Sequence, residues 1–486
     1  MKPIIVWFRR DLRVNDHAAL FHASRTGTPI IPLFIFDTPR IARIPSDGAV
    51  FDFQADCLNA LGAGISSLGG SLIVRKGDAL AVHEELIRSV QPAALYFNRD
   101  YAPAELDREQ AVAALYRSYG IEVLPFKDHV LHEPEEILNG SGNPYVVFTP
   151  FANAWKKLPL MVPFGKPRPF STPAMDRGPI LLSSDLGRSR TISDPAFRGG
   201  EGNAKSAWRK FLADALPTYS KGRDVPALKG TSRMSAYLRF GAISARTLLE
   251  GLRPVLRDMN HPDLPSASKF IDELIWREFY QSVLYHSPRL AYESYRREFE
   301  DFPWKRDSRM LRAWKEGKTG FPLVDAGVRE LNRTGWMHNR VRMVVASFLT
   351  KDLQHHWREG AQYFEEKLLD IETASNAGGW QWSAGAGVDP KPLRIFNPTL
   401  QAQRFDPYGK YIRNNVPELS RVPDRFIHTP HLMPPVLQKE TKCIIGKDYS
   451  FPIVDHPAAA ANFRASLTAL NRGGKGQASK RPIDRG

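Results

Sequence analysis

Glu273, Trp276, Arg277 and Tyr280 occur in FIDELIWREFY, residues 270–280, at positions i, i+3, i+4 and i+7, which places all four on one face of a helix. A face carrying an acid, an indole, a guanidinium and a phenol is poor core material, and a solvated face seldom sets Trp beside Tyr. It reads as a surface that meets a ligand. GWMHNRVRM, residues 335–343, repeats the theme: Trp336, Asn339 and Met343 share a helix face, with Arg340 and Arg342 on either side. DIETASNAGGWQW, residues 370–382, reads as a small-residue loop that lets backbone approach a flat ligand closely. It closes with Trp380 and Trp382, which share a side if the chain is extended and lie about 160° apart if it is helical. In YSKGRDVPALKGTSRMS, residues 219–235, Gly230-Thr231-Ser232 before a helix offers N–H groups and hydroxyls to a phosphate, although taken alone an ordinary N-cap is the stronger reading. FRRDLRVND (8–16) and DPKPLRIFNP (389–398) are charged segments that prove little singly.

Two kinds of element must position these residues. Residues 1–131 alternate apolar runs (4–8, 30–36, 72–74, 94–97 and 123–126) with amphipathic segments at 51–68 and 79–90, the pattern of a parallel α/β sheet. No G-x-G-x-x-G follows the first run, so a nicotinamide-type fingerprint is absent. Ten prolines between 134 and 195 mark residues 132–200 as a long linker without long helices. From residue 201 to 486 the period is helical, through 205–215, 244–257, 267–285, 308–316, 323–334, 337–355 and 361–369, ending in a frayed basic tail at 472–486. The expected fold is thus a five-stranded, Rossmann-like α/β domain joined by a linker to a large all-α domain.

Eight of the ten tryptophans (208, 276, 304, 314, 336, 357, 380, 382) lie in the helical part, a concentration that suits electron transfer, base stacking, or both. Sixty-seven basic against 52 acidic side chains leave a formal charge of +15, which suits a polyanionic partner and, on charge alone, equally a merely soluble basic protein. Cys57 and Cys443 are the only cysteines, too few for a disulfide scaffold or a four-cysteine cluster. The N-terminal apolar run lacks signal-peptide character and no stretch is long enough to span a bilayer, so a cytoplasmic protein is expected.

FRRDLRVND, GTSRMS, ELIWREFY, GWMHNRVRM and NAGGWQW, in this order and at these separations, resemble the photolyase/cryptochrome family over nearly the whole chain, and within it the class I cyclobutane-dimer photolyases of microbes. The resemblance implies a carbon–carbon lyase that uses blue light to repair cyclobutane pyrimidine dimers in DNA, with FAD folded in the helical domain and reduced in the active state. It implies a monomer associated with the nucleoid, and no metal. By match, Tyr219, Thr231, Ser232, Met234 and Ser235 contact the pyrophosphate and Arg277 adds positive charge. Arg342 and Asp370 pair beside the isoalloxazine, and Asn376 faces flavin N5. Trp276 and Trp382 flank the flipped dimer, Met343 fills the floor, Glu273 and Asn339 bond the imide edges, and Arg340 takes a flanking phosphate. Base flipping is the general solution for enzymes that act on a base within a duplex, photolyases among them. Trp380, Trp357 and Trp304 match the family's three-indole electron relay.

The chain departs from the family pattern at two places. Glu372 stands where relatives have an aspartate that meets the flavin's pyrimidine edge; the extra methylene could shift the ring or loosen FAD, and FAD binding is expected to survive with an altered redox poise. In NRDYAPAELDRE, residues 98–109, Glu105 matches a ligand acid of folate-binding relatives, but the preceding Asn of that pattern is Ala104. PSDGAVFDF, residues 45–53, lacks the arginine of deazaflavin-binding relatives. The antenna chromophore is therefore expected to be methenyltetrahydrofolate, with a deazaflavin or a second flavin next. The competing reading is a cryptochrome-type blue-light receptor without repair activity, disfavoured by the short stretch after Phe463 and by Trp276, Met343 and Trp382.

Overall fold

The computed structural model describes residues 1–43, 49–187, 197–389 and 394–477. Two compact units are present: Met1–Arg223, Gly230–Pro288 and Glu365–Ser375 form the first, and Asp224–Lys229, Arg289–Phe364 and Asn376–Gly486 the second.

In the first unit the apolar runs become β1 (Ile4–Phe8), β2 (Ile30–Asp37), β3 (Ile73–Gly77), β4 (Ala94–Asn98) and β5 (Glu122–Phe126), one parallel sheet in the order β3-β2-β1-β4-β5. Every residue of β1, β2 and β4 is buried, as in strands covered on both faces, and Ile4 lies between Ile30 and Ala94. The helices Ala49–Ser66, Ala79–Val90 and Pro103–Ser118 supply crossovers, the second capped by Asp78 accepting from the Ala81 N–H. Strand order reverses between β1 and β4, the place where such sheets offer a crevice at the carboxyl ends.

The FRRDLRVND segment leaves β1 at that place and is held by paired charges. Arg9 donates to Glu109 at 2.5 Å and Arg10 to Asp100 at 2.5 and 2.7 Å. Deeper, Arg13 and Arg246 share Asp128 at 2.7 and 2.5 Å, and Arg246 also takes Asp16 at 2.9 Å. These four side chains are nearly free of water. Burial pushes the Asp128 carboxyl up, but Arg13 and Arg246 outweigh it and hold the group below the usual range.

Among the described residues of 132–200 the one α-helix is Phe148–Trp155, consistent with the proline content. Trp155 donates its indole N–H to Glu278 at 2.6 Å, and the Leu131 N–H reaches the same carboxylate at 2.5 Å. The first unit is completed by Glu201–Asp214, Tyr219–Gly222, Met234–Arg239, Ala245–Arg257 and the 23-residue Leu264–His286.

The second unit is built mainly from helices, including Ser308–Glu316, Pro322–Thr334, Asn339–Ser347, Pro398–Phe405 and His456–Gln477. Three expectations need correction. The periodic stretch 337–355 is not one helix: His338 caps Asn339–Ser347, and Phe348–Asp352 widens into a π-turn, closed by the Leu353 N–H bonding Phe348 O and bent where Thr350 Oγ1 bonds Ala346 O. Residues 370–382 are not a loop, because Thr373–Ala384 is a helix whose Ala374, Ala377 and Trp380 are buried; packing overrides the cost of the Gly378-Gly379 pair. The segment expected to fray at 472 is still helical to Gln477, and 478–486 lie outside the described residues. No helix among the described residues is long and apolar enough to cross a membrane.

Asp128→Asn should cost about 3–5 kcal/mol in urea denaturation at neutral pH, because two buried guanidinium groups lose their shared anion. Since the folded carboxyl titrates below its unfolded value near ~3.9, its contribution is present above that pH and lost as pH falls toward the folded value. The variant's acid-denaturation curve should be correspondingly flatter.

Candidate functional site

In the first unit, Glu273, Trp276, Arg277 and Tyr280 are each half-buried on the Leu264–His286 helix, the exposure of a ligand-facing surface rather than a core. Glu273 pairs with Arg223 at 2.7 Å, and the Arg223 guanidinium also lies 5.5 Å from the Tyr219 ring. Arg223 was not legible as a site residue, since its only signal was a place in the 219–235 motif. Gly230 passes so near Gly222 that a Cβ would come 3.0 Å from the Gly222 carbonyl oxygen, bringing Thr231 and Ser232 beside the Tyr219–Gly222 turn. Ser232 Oγ accepts the Met234 N–H at 3.3 Å, Arg233 adopts left-handed backbone (φ 52°), and Ser235 is exposed on the first turn of Met234–Arg239.

Glu372 takes a direction that its extra methylene allows. Its carboxylate accepts from Gln281 at 2.8 Å and Arg277 at 3.2 Å, lies 2.9 Å from His129 Nε2, and has Arg10 at 3.7 Å. Burial opposes ionisation of Glu372, but Arg277, His129 and Arg10 hold it far below the usual glutamate range. His129 is pushed down to about 4 by burial and by Arg277 and Arg10, with Glu372 opposing. Its Nε2 is also 2.7 Å from Arg277 Nη2, so that nitrogen either accepts from the guanidinium or donates to the carboxylate. His129 and Gln281, 243 and 91 residues from Glu372, are long-range partners that no local motif announces. Asp370 is buried.

At the sheet's carboxyl end, Glu105 is buried and bonded by Arg40 at 2.7 Å and by Arg108, which together hold its carboxyl down to about 2 against the effect of burial. Residues 45–48 of the neighbouring PSDGAVFDF segment lie outside the described residues, as do 390–393 of DPKPLRIFNP.

In the second unit, Asn339 is exposed and Arg340, Arg342, Met343 and Trp382 are half-buried. Arg340 pairs with Asp224 at 2.8 Å and lies 3.7 Å from Met343 Sδ, and Arg342 donates to Met337 O at 2.8 Å. Asn376 is buried and donates Nδ2–H to Ala361 O at 3.1 Å. The helical form of 373–384 sends Trp380 inward and leaves Trp382 accessible. Trp380 packs on Phe364 at 4.9 Å and on Trp314 at 6.1 Å, and lies so close to Gly360 that a Cβ there would stand 2.1 Å from its ring. Gly360 is one turn beyond Trp357, which is fully buried and donates to Ser294 Oγ at 3.0 Å. The half-buried Trp304 bonds Phe299 O at 2.8 Å. Between these two indoles sits His356, 5.3 Å from Trp304 and 5.7 Å from Trp357. Gly360 and His356 escaped sequence reasoning, because nothing local marks a glycine as the bed of a distant indole.

Residues 4–173 match the DNA photolyase family model and residues 270–469 the FAD binding domain of DNA photolyase. The chain belongs to the DNA photolyase family. It is 37% identical to a deoxyribodipyrimidine photo-lyase of Agrobacterium fabrum, over 97% of this chain and 98% of that protein. The fold overlays on a crystal structure of a bacterial class III photolyase from Agrobacterium tumefaciens with a TM-score of 0.90 at 35% identity, covering 97% and 98% of the two chains. An archaeal photolyase from Sulfolobus tokodaii with two FAD molecules gives 0.81 at 31% identity, covering 96% and 100%.

The residues present fit FAD. The first unit offers the hydroxyls of Thr231 and Ser232 and the guanidinium of Arg277, groups suited to a diphosphate. In the second unit the buried Trp380 indole N–H has no acceptor among the described residues.

The depressed His129 gives a signed pH effect. Its neutral form stabilises the fold above the unfolded value near ~6.5, and that contribution is lost as pH falls toward about 4. His129→Gln should remove this part of the acid sensitivity, and in Glu372→Gln the His129 ring should titrate lower still, both followed by NMR titration and urea denaturation.

Proposed function

We propose that this protein repairs cyclobutane pyrimidine dimers in DNA by light-driven electron transfer from FAD, acting as a monomer on a dimer flipped out of the duplex. The observation that carries the reading is how exposure sorts the indoles. Trp276 and Trp382 stay half-buried where they can wall a ligand, while Trp357 and Trp380 are packed away from water. The reading does not turn on subclass: the motifs resemble class I enzymes and the fold overlays on a class III one.

When bound and reduced, FAD supplies the excited electron that opens the cyclobutane ring and receives it back. The protein's own residues bind, orient and exclude water. Thr231, Ser232, Ser235 and Tyr219, with the Met234 segment, hold the pyrophosphate, and Arg277 sets a cation nearby. Arg342 and Asp370 are assigned to the isoalloxazine as a charge pair, and Asn376 to N5, where a neutral amide serves more than one redox state without adding charge. Glu372, drawn into the Arg277–His129–Gln281 cluster, acts on the ring's edge through those partners. Trp276 and Trp382 wall the dimer, Met343 floors it, and Glu273 and Asn339 bond its imide edges. For the dimer to gain Glu273, that carboxylate must share or release Arg223; for a flanking phosphate to gain Arg340, Asp224 must give way. With FAD bound, Trp304, Trp357 and Trp380 would offer a path for an electron from an external reductant at the surface to oxidised flavin.

The second chromophore is assigned to the carboxyl ends of the sheet, methenyltetrahydrofolate first, then a deazaflavin or second flavin. Arg40, the more exposed partner of Glu105, is the one a folate would displace. Reversed-phase identification of chromophores released from native holoprotein decides among them.

Purified protein should be coloured by flavin and clear dimers from ultraviolet-treated oligonucleotide only under near-UV or blue light. Flavin colour without clearance would instead mark a cryptochrome-type receptor. Trp276→Ala should weaken binding of dimer-containing DNA by about 1–3 kcal/mol, the range for one base–aromatic stack. Trp357→Phe should suppress light-driven flavin reduction while leaving DNA binding intact, measured by absorbance bleaching and by filter binding.

A further inference from the structure

Phe148, the first residue of the Phe148–Trp155 helix, lies parallel to Trp276 with ring centroids 3.6 Å apart and planes inclined by 2°. We infer that Phe148 is a positioning residue for the pyrimidine dimer: it covers one face of the Trp276 indole and fixes the plane that the other face presents. The inference rests on the reading of Trp276 as a wall of the dimer site.

Free aromatic pairs favour offset or edge-to-face arrangements with centroids about 4.5–7 Å apart, so a close parallel sandwich needs to be imposed by its surroundings. Here both partners are held from behind. Phe151 and Trp155, 1% and 2% exposed, root the short helix, Trp155 through its bond to Glu278 and Lys156 through an ion pair with Asp272 at 2.7 Å. Phe279, fully buried, forms the floor, edge-on to Phe148 at 5.9 Å and to Trp276 at 5.7 Å. Phe148 and Trp276 are themselves only half-buried, so the stack is not core filling. Its consequence is directional. A base can reach the indole only on the side away from Phe148, and the indole cannot turn to follow a base that is wrongly placed. A planar wall fixed before binding spares the cost of ordering it during binding.

The test measures dark binding of holoprotein to one oligonucleotide with and without a thymine dimer, for wild type, Phe148→Leu, Phe148→Tyr and Trp276→Ala. Phe148→Leu keeps apolar bulk but loses the flat face, and should weaken binding to the dimer about two- to tenfold, the worth of an aromatic pair, with undamaged DNA unaffected. Phe148→Tyr should restore wild-type discrimination, which a merely structural role would not require. FAD content and Tm establish that each variant is folded. If Phe148→Leu discriminates as well as wild type, or binds the dimer more tightly because Phe148 was competing with the base, the inference is overturned. Loss of discrimination in Trp276→Ala alone sinks this inference and leaves the dimer-site reading standing. Full discrimination in Trp276→Ala sinks both.

Discussion

A guanidinium taken out of water must find an anion, and the first unit is organised around that requirement. Arg13 and Arg246 come from segments 233 residues apart in sequence yet share Asp128, while Asp16 closes the set on Arg246. Desolvation of four charges is expensive, and attraction offsets it only when each charge is satisfied from several directions. The segment after β1 therefore cannot move without leaving an unpaired ion in the interior. The same segment sends Arg10 toward Asp100 and Glu372, so the rigid ion set and the Glu372 cluster are consecutive parts of one short stretch of chain.

The aromatic residues obey a different constraint, set by distance and access. The packing of Trp380 against Gly360 and the burial of Trp357 give these two indoles a fixed, water-free environment. An indole that meets a base needs an open face, and Trp276 and Trp382 keep one accessible side. Trp380 and Trp382 are two residues apart on one helix, and their opposite fates follow from its turn of about 100° per residue. Had 373–384 been extended, both rings would have faced the same way.

What could be read in the sequence was the local part. The sheet was legible because strands covered on both faces are nearly continuous apolar runs, and four of the five runs fall within a residue of the strand ends; at β3 the run 72–74 misses the polar end, Arg75 to Gly77. The face of the Leu264–His286 helix was legible because Glu273, Trp276, Arg277 and Tyr280 share one period. The helix at 373–384 was not, since two adjacent glycines signal a loop locally and only burial of Ala377 and Trp380 outweighs them. The π-turn at 348–352 has helical periodicity on both sides and no residue that marks it. Arg223 with Glu273, and His129 with Glu372, depend on distant segments meeting, which spacing cannot report.

Glu372 shows how one carboxylate can join distant segments. Its side chain ends among Gln281, His129, Arg277 and Arg10. Without that carboxylate, Arg10 would still have Asp100, whereas Arg277 would keep the carbonyl and ring of His129 as its hydrogen-bond partners among the described residues. Neutral groups can orient a guanidinium but cannot balance its charge in a poorly solvated setting. The glutamate thus orients Arg277, a residue of the helix face that carries Glu273, Trp276 and Tyr280. The orientation is supplied by an acid from the start of the segment that also carries Asn376 and Trp380.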